Sequence, residues 1–250
     1  MLIRRDLATA RPKDDFMRRI IDLSPTIYGG IEGPPMYKGV PMLEWIEPIC
    51  KWDRDGFPSS RISMWLHLGT HVDTPYHVLK DGKTVEQVPL VTFVGEAIVM
   101  DLTFKKPNEG ITVHDLEEVS EKLNKEGLRI EPGNIVILRT DWYKKWPSPE
   151  YWEQSPFLTL EAAEWLVKKK ISALGYDFFQ EMKGEELKKL PESKRKLPEH
   201  NVVLRAGVCQ IEYLRGLDQL RKHKVFLIAA PVKIRGAEGA PARAIAIEDY

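Results

Sequence analysis

The segment 67–77, with the sequence HLGTHVDTPYH, constrains this chain more than any other feature. It places three of the chain's six histidines and one aspartate within eleven residues. Glycine, threonine and proline inside the segment disfavour a helix, and no glutamate follows the first histidine, so the helical zinc-protease motif is excluded. Two imidazoles and a carboxylate are good ligands for a divalent metal ion, and we predict that His67, His71 and Asp73 bind one.

The residues just before this segment alternate between apolar and polar, which predicts a half-buried strand over 59–68. If the chain stays extended, His67, His71 and Asp73 have the same parity and point to the same side. Gly69 between them permits a bulge or a close backbone approach. The alternative is a polar turn whose side chains are only hydrogen-bonded. Three histidines and an aspartate in one segment favour metal binding.

Three further residues are candidates for the same site. His77 lies beyond a proline, so strand parity does not fix its direction, and it is a further ligand, a general base or a surface histidine. A neutral imidazole beside a metal-activated water suits proton transfer. No local sequence pattern connects His200 with Glu212. The local sequence favours an ion pair between Glu212 and a nearby arginine over a metal partner.

The composition is that of an ordinary globular chain. Its 250 residues, 43% of them hydrophobic, favour one domain over 1–250 rather than two small ones. The 37 basic and 37 acidic residues balance, so we expect neither nucleic acid nor a membrane surface as a partner. No secretory signal or membrane-spanning run is visible, and Cys50 and Cys209 are too few for a disulfide framework, so we expect a soluble cytoplasmic protein.

Periodicity predicts a mixture of strands and helices. A helix capped by Thr112 should run to about Asn124, with Gly127 as its stop, and a second should span 160–170. Strands are expected at 97–102, 135–138, 171–175, 225–230 and 242–247. Residues 25–58 are predicted to form a long ordered loop and residues 181–198 a solvated excursion. The fold class is therefore α/β, a mixed, barrel-like sheet with outer helices.

The segment HLGTHVDTPYH closely resembles the His-x-Gly-Thr-His-x-Asp-x-Pro-x-His signature of the cyclase family of metal-dependent hydrolases. That family includes bacterial kynurenine formamidases, isatin hydrolases and proteins labelled polyketide cyclases. Weaker similarities follow in the family's order along nearly the whole chain, at Asp22-Leu23-Ser24, Arg139-Thr140-Asp141-Trp142, Gly175-Tyr176-Asp177, 200–217 and 231–246.

The resemblance implies a swivelling β/β/α fold, assembled as a homodimer or homotetramer, with one or two divalent ions and zinc ahead of manganese. By position, His67, His71 and Asp73 would hold the first ion. Asp73, His200 and Glu212 would hold the second. The family's spacing between the last two ligands is reproduced here, which reverses the local interpretation of Glu212.

Two further residues match positions with roles in the family. His77 matches the proton shuttle, and Tyr37 matches an aromatic residue that packs on the substrate ring. The chain departs from formamidases at Tyr37, where they have Trp, and at residues 178–180, where a Ser and a further Asp are usual. Its Lys-rich segment 181–198 is also longer. These departures concern the substrate rather than the metal ligands.

Together the residues and the resemblance predict a metal-dependent hydrolase acting on a small molecule. It would cleave an amide, lactam or ester bond with metal-activated water and His77 as the general base. The first alternative is an arylformamidase that acts on N-formylkynurenine, and a cyclase or lactonase would use the same machinery. The alternative of another class is a non-catalytic metal- or ligand-binding protein.

Overall fold

A computed structural model describes residues 18–31, 33, 34 and 42–250, so Tyr37 lies outside the described residues. The strands, in chain order, are β1 (Arg19–Asp22), β2 (Leu43–Cys50), β3 (Ser59–Met64), β4 (His71–Asp73), β5 (Val94–Asp101), β6 (Gly110–Ile111), β7 (Ile135–Arg139), β8 (Phe157–Leu158), β9 (Ala173–Tyr176), β10 (Cys209–Glu212), β11 (Lys224–Ile228), β12 (Gly239–Pro241) and β13 (Ile245–Glu248). The helices are α1 (Trp52–Asp55), α2 (Val113–Lys125), α3 (Pro149–Glu153), α4 (Leu160–Lys168), α5 (Gly184–Lys188) and α6 (Pro198–Val203).

Nine strands form one curled, half-barrel sheet, in the order β1-β13-β11-β5-β7-β9-β10-β4-β12. The four central strands β5, β7, β9 and β10 run parallel, and the flanking pairings are antiparallel. Parallel neighbours need a crossover connection, which α2 supplies between β5 and β7 and α4 between β7 and β9. The predicted α/β class with a mixed sheet and outer helices is confirmed.

Residues 97–100 of β5 and nearly all of β7 and β9 are buried on both faces, which explains the apolar runs in these strands. On β5, Ile98 and Met100 pack in a core with residues of α2 and α4, whereas Ala97 and Val99 pack in a second core. The second core is completed by residues such as Val225 on the neighbouring β11. The central strands therefore lie between two apolar layers.

Helix α2 begins where the sequence predicts. The Thr112 side chain accepts a hydrogen bond from the Asp115 backbone N–H, and the Asp115 carboxylate accepts one from the Thr112 backbone N–H, which together form a capping box. Leu116, Val119 and Leu123 form the buried stripe of the helix. A positive φ of 78° at Gly127 follows its end.

The hairpin of β2 and β3 is separate from the main sheet. Its first strand, Leu43–Cys50, lies in the segment that was predicted to be a loop, so that prediction is wrong there. The predicted strand over 59–68 ends at Met64, and Ile62 is 49% exposed rather than half-buried in a core. Residues 47–49 of β2 are exposed, so this strand lacks the buried alternation by which periodicity detects a strand. Within the described ranges, no helix has the length and apolar character needed to cross a membrane.

Candidate metal centre and active site

A tight turn brings the residues of the histidine-rich segment together. The chain turns between β3 and β4, with Gly69 at a φ of 59°, so it is not extended as the parity argument assumed. The side chains nevertheless converge on Asp73. Its Oδ1 lies 2.8 Å from His67 Nδ1 and 3.3 Å from His71 Nε2.

Sheet pairing and α6 bring the two distant candidates to the same place. Strand β10 pairs with β4 so that Glu212 lies opposite His71, and Glu212 Oε2 is 3.7 Å from His71 Nε2. His200, on α6, places its Nε2 3.0 Å from Glu212 Oε1 and 3.4 Å from Asp73 Oδ2. All five residues predicted as ligands therefore meet, and the ion-pair contacts of Glu212 with other described residues are with histidines rather than an arginine.

The unsatisfied atoms of this cluster fit a divalent metal. His71 Nε2 and both carboxylate oxygens of Asp73 are buried and make no hydrogen bond of normal geometry. Buried polar atoms are almost always satisfied, so such orphans indicate a missing partner. His71 Nδ1–H donates a hydrogen bond to the Gly69 carbonyl oxygen at 2.8 Å, which leaves Nε2 as the ring atom that faces the cluster. His71, Asp73 and Glu212 offer ligand atoms within 4.8 Å of one another.

The carboxylates of the cluster favour protonated forms of two of its histidines. Burial opposes a charge on His67, but Asp73 and Glu238 outweigh this effect and raise its pKa to about 10. Burial likewise opposes a charge on His200, while Glu212 and Asp73 raise its pKa well above the usual range. Because metal ligands must be deprotonated, metal binding at this cluster should release protons.

His77 lies at the rim of the same cluster. It ends a 3₁₀ helix, Pro75–His77, and its ring centroid is 4.5 Å from that of His67 and 5.5 Å from that of His200. The side chain is half-buried, and burial lowers its pKa although Asp73 opposes the shift. The surface interpretation of His77 is therefore wrong, while the roles of base and further ligand both fit its position, since it also groups with His67 and Asp73.

Two residues that support the candidate ligands were not identified from sequence. Gln180 donates a hydrogen bond to Glu212, and Glu181 Oε1 lies 2.5 Å from His200 Nδ1. Glu181 is 4% exposed, so the predicted solvated excursion over 181–198 is wrong at its first residue. Both residues follow the end of β9. Because β9 and β10 are parallel neighbours, they end at the same edge of the sheet, so residues that follow β9 could have been expected near Glu212.

A small, largely apolar cavity of about 100 Å³ opens over the cluster. Its lining includes the candidate ligands His67, Asp73, His200 and Glu212, together with His77. The other described residues that line it are Pro34, Met42, Trp65, Phe179, Leu197 and Tyr213. Aromatic and aliphatic walls around a few polar groups are typical of a site for a small organic molecule.

The remaining histidines and the cysteines take no part in the cluster. His114 is exposed on α2, as expected, whereas His223 is half-buried with its Nδ1 3.0 Å from the Val99 carbonyl oxygen. Both cysteines are free; Cys209 is buried, and burial raises its pKa to about 12, which makes it an inert packing residue.

Comparison with known proteins places this geometry in a family. The family model described as "Putative cyclase" matches residues 21–180. A kynurenine formamidase of Bacillus cereus is 28% identical over 185 residues, which cover 74% of this chain and 78% of that protein. An isatin hydrolase of Roseibium aggregatum is 29% identical over 230 residues, which cover 86% and 84% of the two chains.

Solved structures agree with the sequence relatives. Isatin hydrolase A from Labrenzia aggregata superposes with a TM-score of 0.76 at 28% identity, covering 93% of this chain and 94% of that one. A structure described as a potential metal-dependent hydrolase with cyclase activity gives a TM-score of 0.68 at 29% identity, covering 92% and 98%. The chain therefore belongs to the cyclase family, and it is a metal-dependent hydrolase of that family.

Proposed function

We propose that this protein hydrolyses an amide, lactam or ester bond of a small molecule, with His77 as the general base. One observation carries the proposal: a half-buried imidazole faces a cluster of buried, unsatisfied ligand atoms at the floor of an apolar cavity. The unsatisfied atoms belong to His71 and Asp73. A structural metal site would need the ligands but neither the cavity nor the base, which argues against the non-catalytic alternative.

The ligand set supports one or two ions. His67, His71 and Asp73 would hold the first, while Asp73, shared between the two sets, would hold the second with His200 and Glu212. Mixed nitrogen and oxygen ligands suit zinc ahead of manganese. When bound, such a metal lowers the pKa of a water molecule towards neutrality and polarises a carbonyl oxygen.

The protein's own groups then manage the proton and the substrate. His77, whose pKa is lowered by burial, is neutral near pH 7 and can accept the water proton at an imidazole nitrogen and return it to the leaving group. Glu181 holds His200 in one orientation through Nδ1, and Gln180 does the same for Glu212. The apolar cavity walls limit the access of bulk water.

An aryl formamide is the narrower candidate substrate. Relatives named kynurenine formamidase and isatin hydrolase support it, and so do the rings of Trp65, Phe179 and Tyr213 in the cavity wall, which suit a flat aromatic group. By the family resemblance, Tyr37 would pack on the substrate ring. A ring-forming or ring-opening reaction on a lactone would use the same groups.

The resemblance to the family also supports a homodimer or homotetramer. The balanced charge and the cysteine content support action on a small molecule in the cytoplasm, without a nucleic-acid or membrane partner. Two free cysteines fit a reducing compartment. Light scattering of the metal-loaded protein would give the number of chains per particle, and a monomer at micromolar concentration would contradict the assembly.

The proposal is tested with formanilides, lactams and lactones, assayed with the wild type and with His77→Ala. We expect turnover of at least one class, and a rate roughly 10²- to 10⁴-fold lower in the variant, because a general base typically contributes this factor. Metal content should be unchanged. The matched control is His114→Ala, which removes an exposed imidazole and should leave the rate unaltered. Equal turnover by His77→Ala and the wild type would refute the role of His77.

A further inference from the structure

A second cavity, of about 650 Å³, shares Phe179 with the cavity over the candidate metal centre. It lies where the segment 152–157 meets the segment 179–186, and none of the five candidate ligands lines it. The rings of Trp152, Phe157 and Phe179 contribute to its wall, and Lys183 lies among them. Its volume is within the range of about 300–1,000 Å³ that is usual for small-molecule sites.

Lys183 is a partly buried lysine in the wall of this cavity. Its Nζ donates a hydrogen bond to the Ser155 carbonyl oxygen at 2.6 Å and lies 5.7 Å from the ring centroid of Phe179. In the part of the chain that the structure describes, no carboxylate forms an ion pair with it. Burial alone lowers its pKa to about 7. A buried ammonium of this kind is stabilised when an anion binds beside it.

The acidic residues at the rim do not supply that anion. Glu185 pairs with Lys188 at 2.6 Å, and Glu186 pairs with Lys189 at 2.5 Å, so both carboxylates already have cations of their own. Glu153 is exposed and also lines the cavity, which disfavours a ligand with two negative charges. The cavity thus offers one cation and an aromatic wall.

We propose that this second cavity binds an aromatic monocarboxylate, with its carboxylate on Lys183 Nζ and its ring against Trp152, Phe157 and Phe179. The carboxylate would accept a charge-assisted hydrogen bond from the ammonium group, and the ring would bury its apolar surface against the wall. An aryl phosphate shares this chemistry, but it brings nearly two charges to a site with a single cation.

The test is calorimetric titration of the metal-loaded protein with benzoate. Replacing Lys183 by Met keeps an unbranched side chain and removes the charge, so the dissociation constant should rise on the order of 10- to 100-fold, the loss typical of one charged hydrogen bond. Lys183→Arg should retain most of the affinity. The matched control, Lys125→Met, removes an exposed lysine of α2 that does not line the cavity and should leave benzoate binding unchanged.

Two further measurements distinguish binding at this cavity from binding at the metal centre. At pH 8, benzoate binding to the wild type should take up protons, measured from the heat in two buffers of different ionisation enthalpy, because Lys183 becomes protonated when the anion binds. His71→Ala should bind benzoate as the wild type does. The proposal is overturned if benzoate does not bind, if Lys183→Met binds it equally well, if His71→Ala loses binding, or if phenyl phosphate binds more tightly.

Discussion

Single residues decide how closely the strands approach at the metal centre. Gly239 on β12 lies opposite Asp73 on β4. A Cβ atom at this glycine would lie 2.9 Å from Asp73 Oδ1, 3.0 Å from His67 Cε1 and 2.8 Å from the Val72 carbonyl oxygen. These atoms are backbone or belong to candidate ligands, so none can move aside without disturbing the site.

Gly239→Ala should therefore weaken metal binding by roughly 10- to 100-fold, the range found when groups that support metal ligands are changed. Gly95→Ala is the matched control, since Gly95 also lies in a strand and a Cβ there would meet no atom within 4 Å. Competition with a chromophoric chelator measures both affinities. Equal affinities in the two variants would show that the close approach at Gly239 is not needed.

Among the elements, the ends of β7 and β9 are joined through one buried carboxylate. Asp177 accepts hydrogen bonds from Thr140 N at 2.8 Å, Thr140 Oγ1 at 2.7 Å and Asp141 N at 2.7 Å. Burial outweighs these three donors and raises the pKa of Asp177 to about 7. The side chain therefore binds a proton in the folded protein at pH values where an unfolded chain has lost it.

This shift predicts a pH dependence of stability. An unfolded aspartate has a pKa of about 3.9, so the protonation of Asp177 stabilises the fold fully below about pH 4, and this contribution is lost as the pH rises through about 7. Relative to Asp177→Asn, the wild type should lose up to about 1.4 kcal/mol of unfolding free energy per pH unit in this window. Urea titrations with chelator present measure the difference. An unfolding free energy of the wild type that instead rises with pH, relative to that of Asp177→Asn, would mean that the donors dominate.

The elements also show what the sequence can predict. Helix α2 and the central strand β7 follow from capping residues and apolar runs, which are local. The segment 67–77 could also be predicted, because its candidate ligands His67, His71 and Asp73 lie close together in sequence. Strand β2 could not be predicted, because its exposed residues 47–49 give no buried alternation. The contact of Glu181 with His200 could not be predicted either, because it depends on how α6 packs against the chain after β9. Glu212 was assigned only through the family resemblance, since its partners come from β4 and α6.

For the whole molecule, the candidate metal centre links parts of the fold that are far apart in the chain. Its ligands come from β4 and the preceding turn, from α6 and from β10. A metal ion that binds only this arrangement, and not the unfolded chain, must stabilise the fold as a whole. We expect one cooperative unfolding transition that depends on the metal concentration.

At a free zinc concentration one hundred times the dissociation constant, the folded state should gain about 2.7 kcal/mol. Thermal unfolding of the wild type with zinc and with chelator measures this gain as a rise in Tm. His200→Ala, which lacks one imidazole of the cluster, should show a smaller rise. Identical Tm values for the wild type with zinc and with chelator would contradict a specific metal centre.

The most direct test of the account is elemental analysis of protein purified without chelator. His71 has a buried, unsatisfied Nε2 at the centre of the cluster, so the wild type should carry one or two divalent ions per chain and His71→Ala should lose them. His114→Ala, the exposed control, should keep the wild-type content. Full metal occupancy in a folded His71→Ala protein, or no metal in the wild type after incubation with zinc and manganese, would contradict the metal centre and the hydrolase built on it.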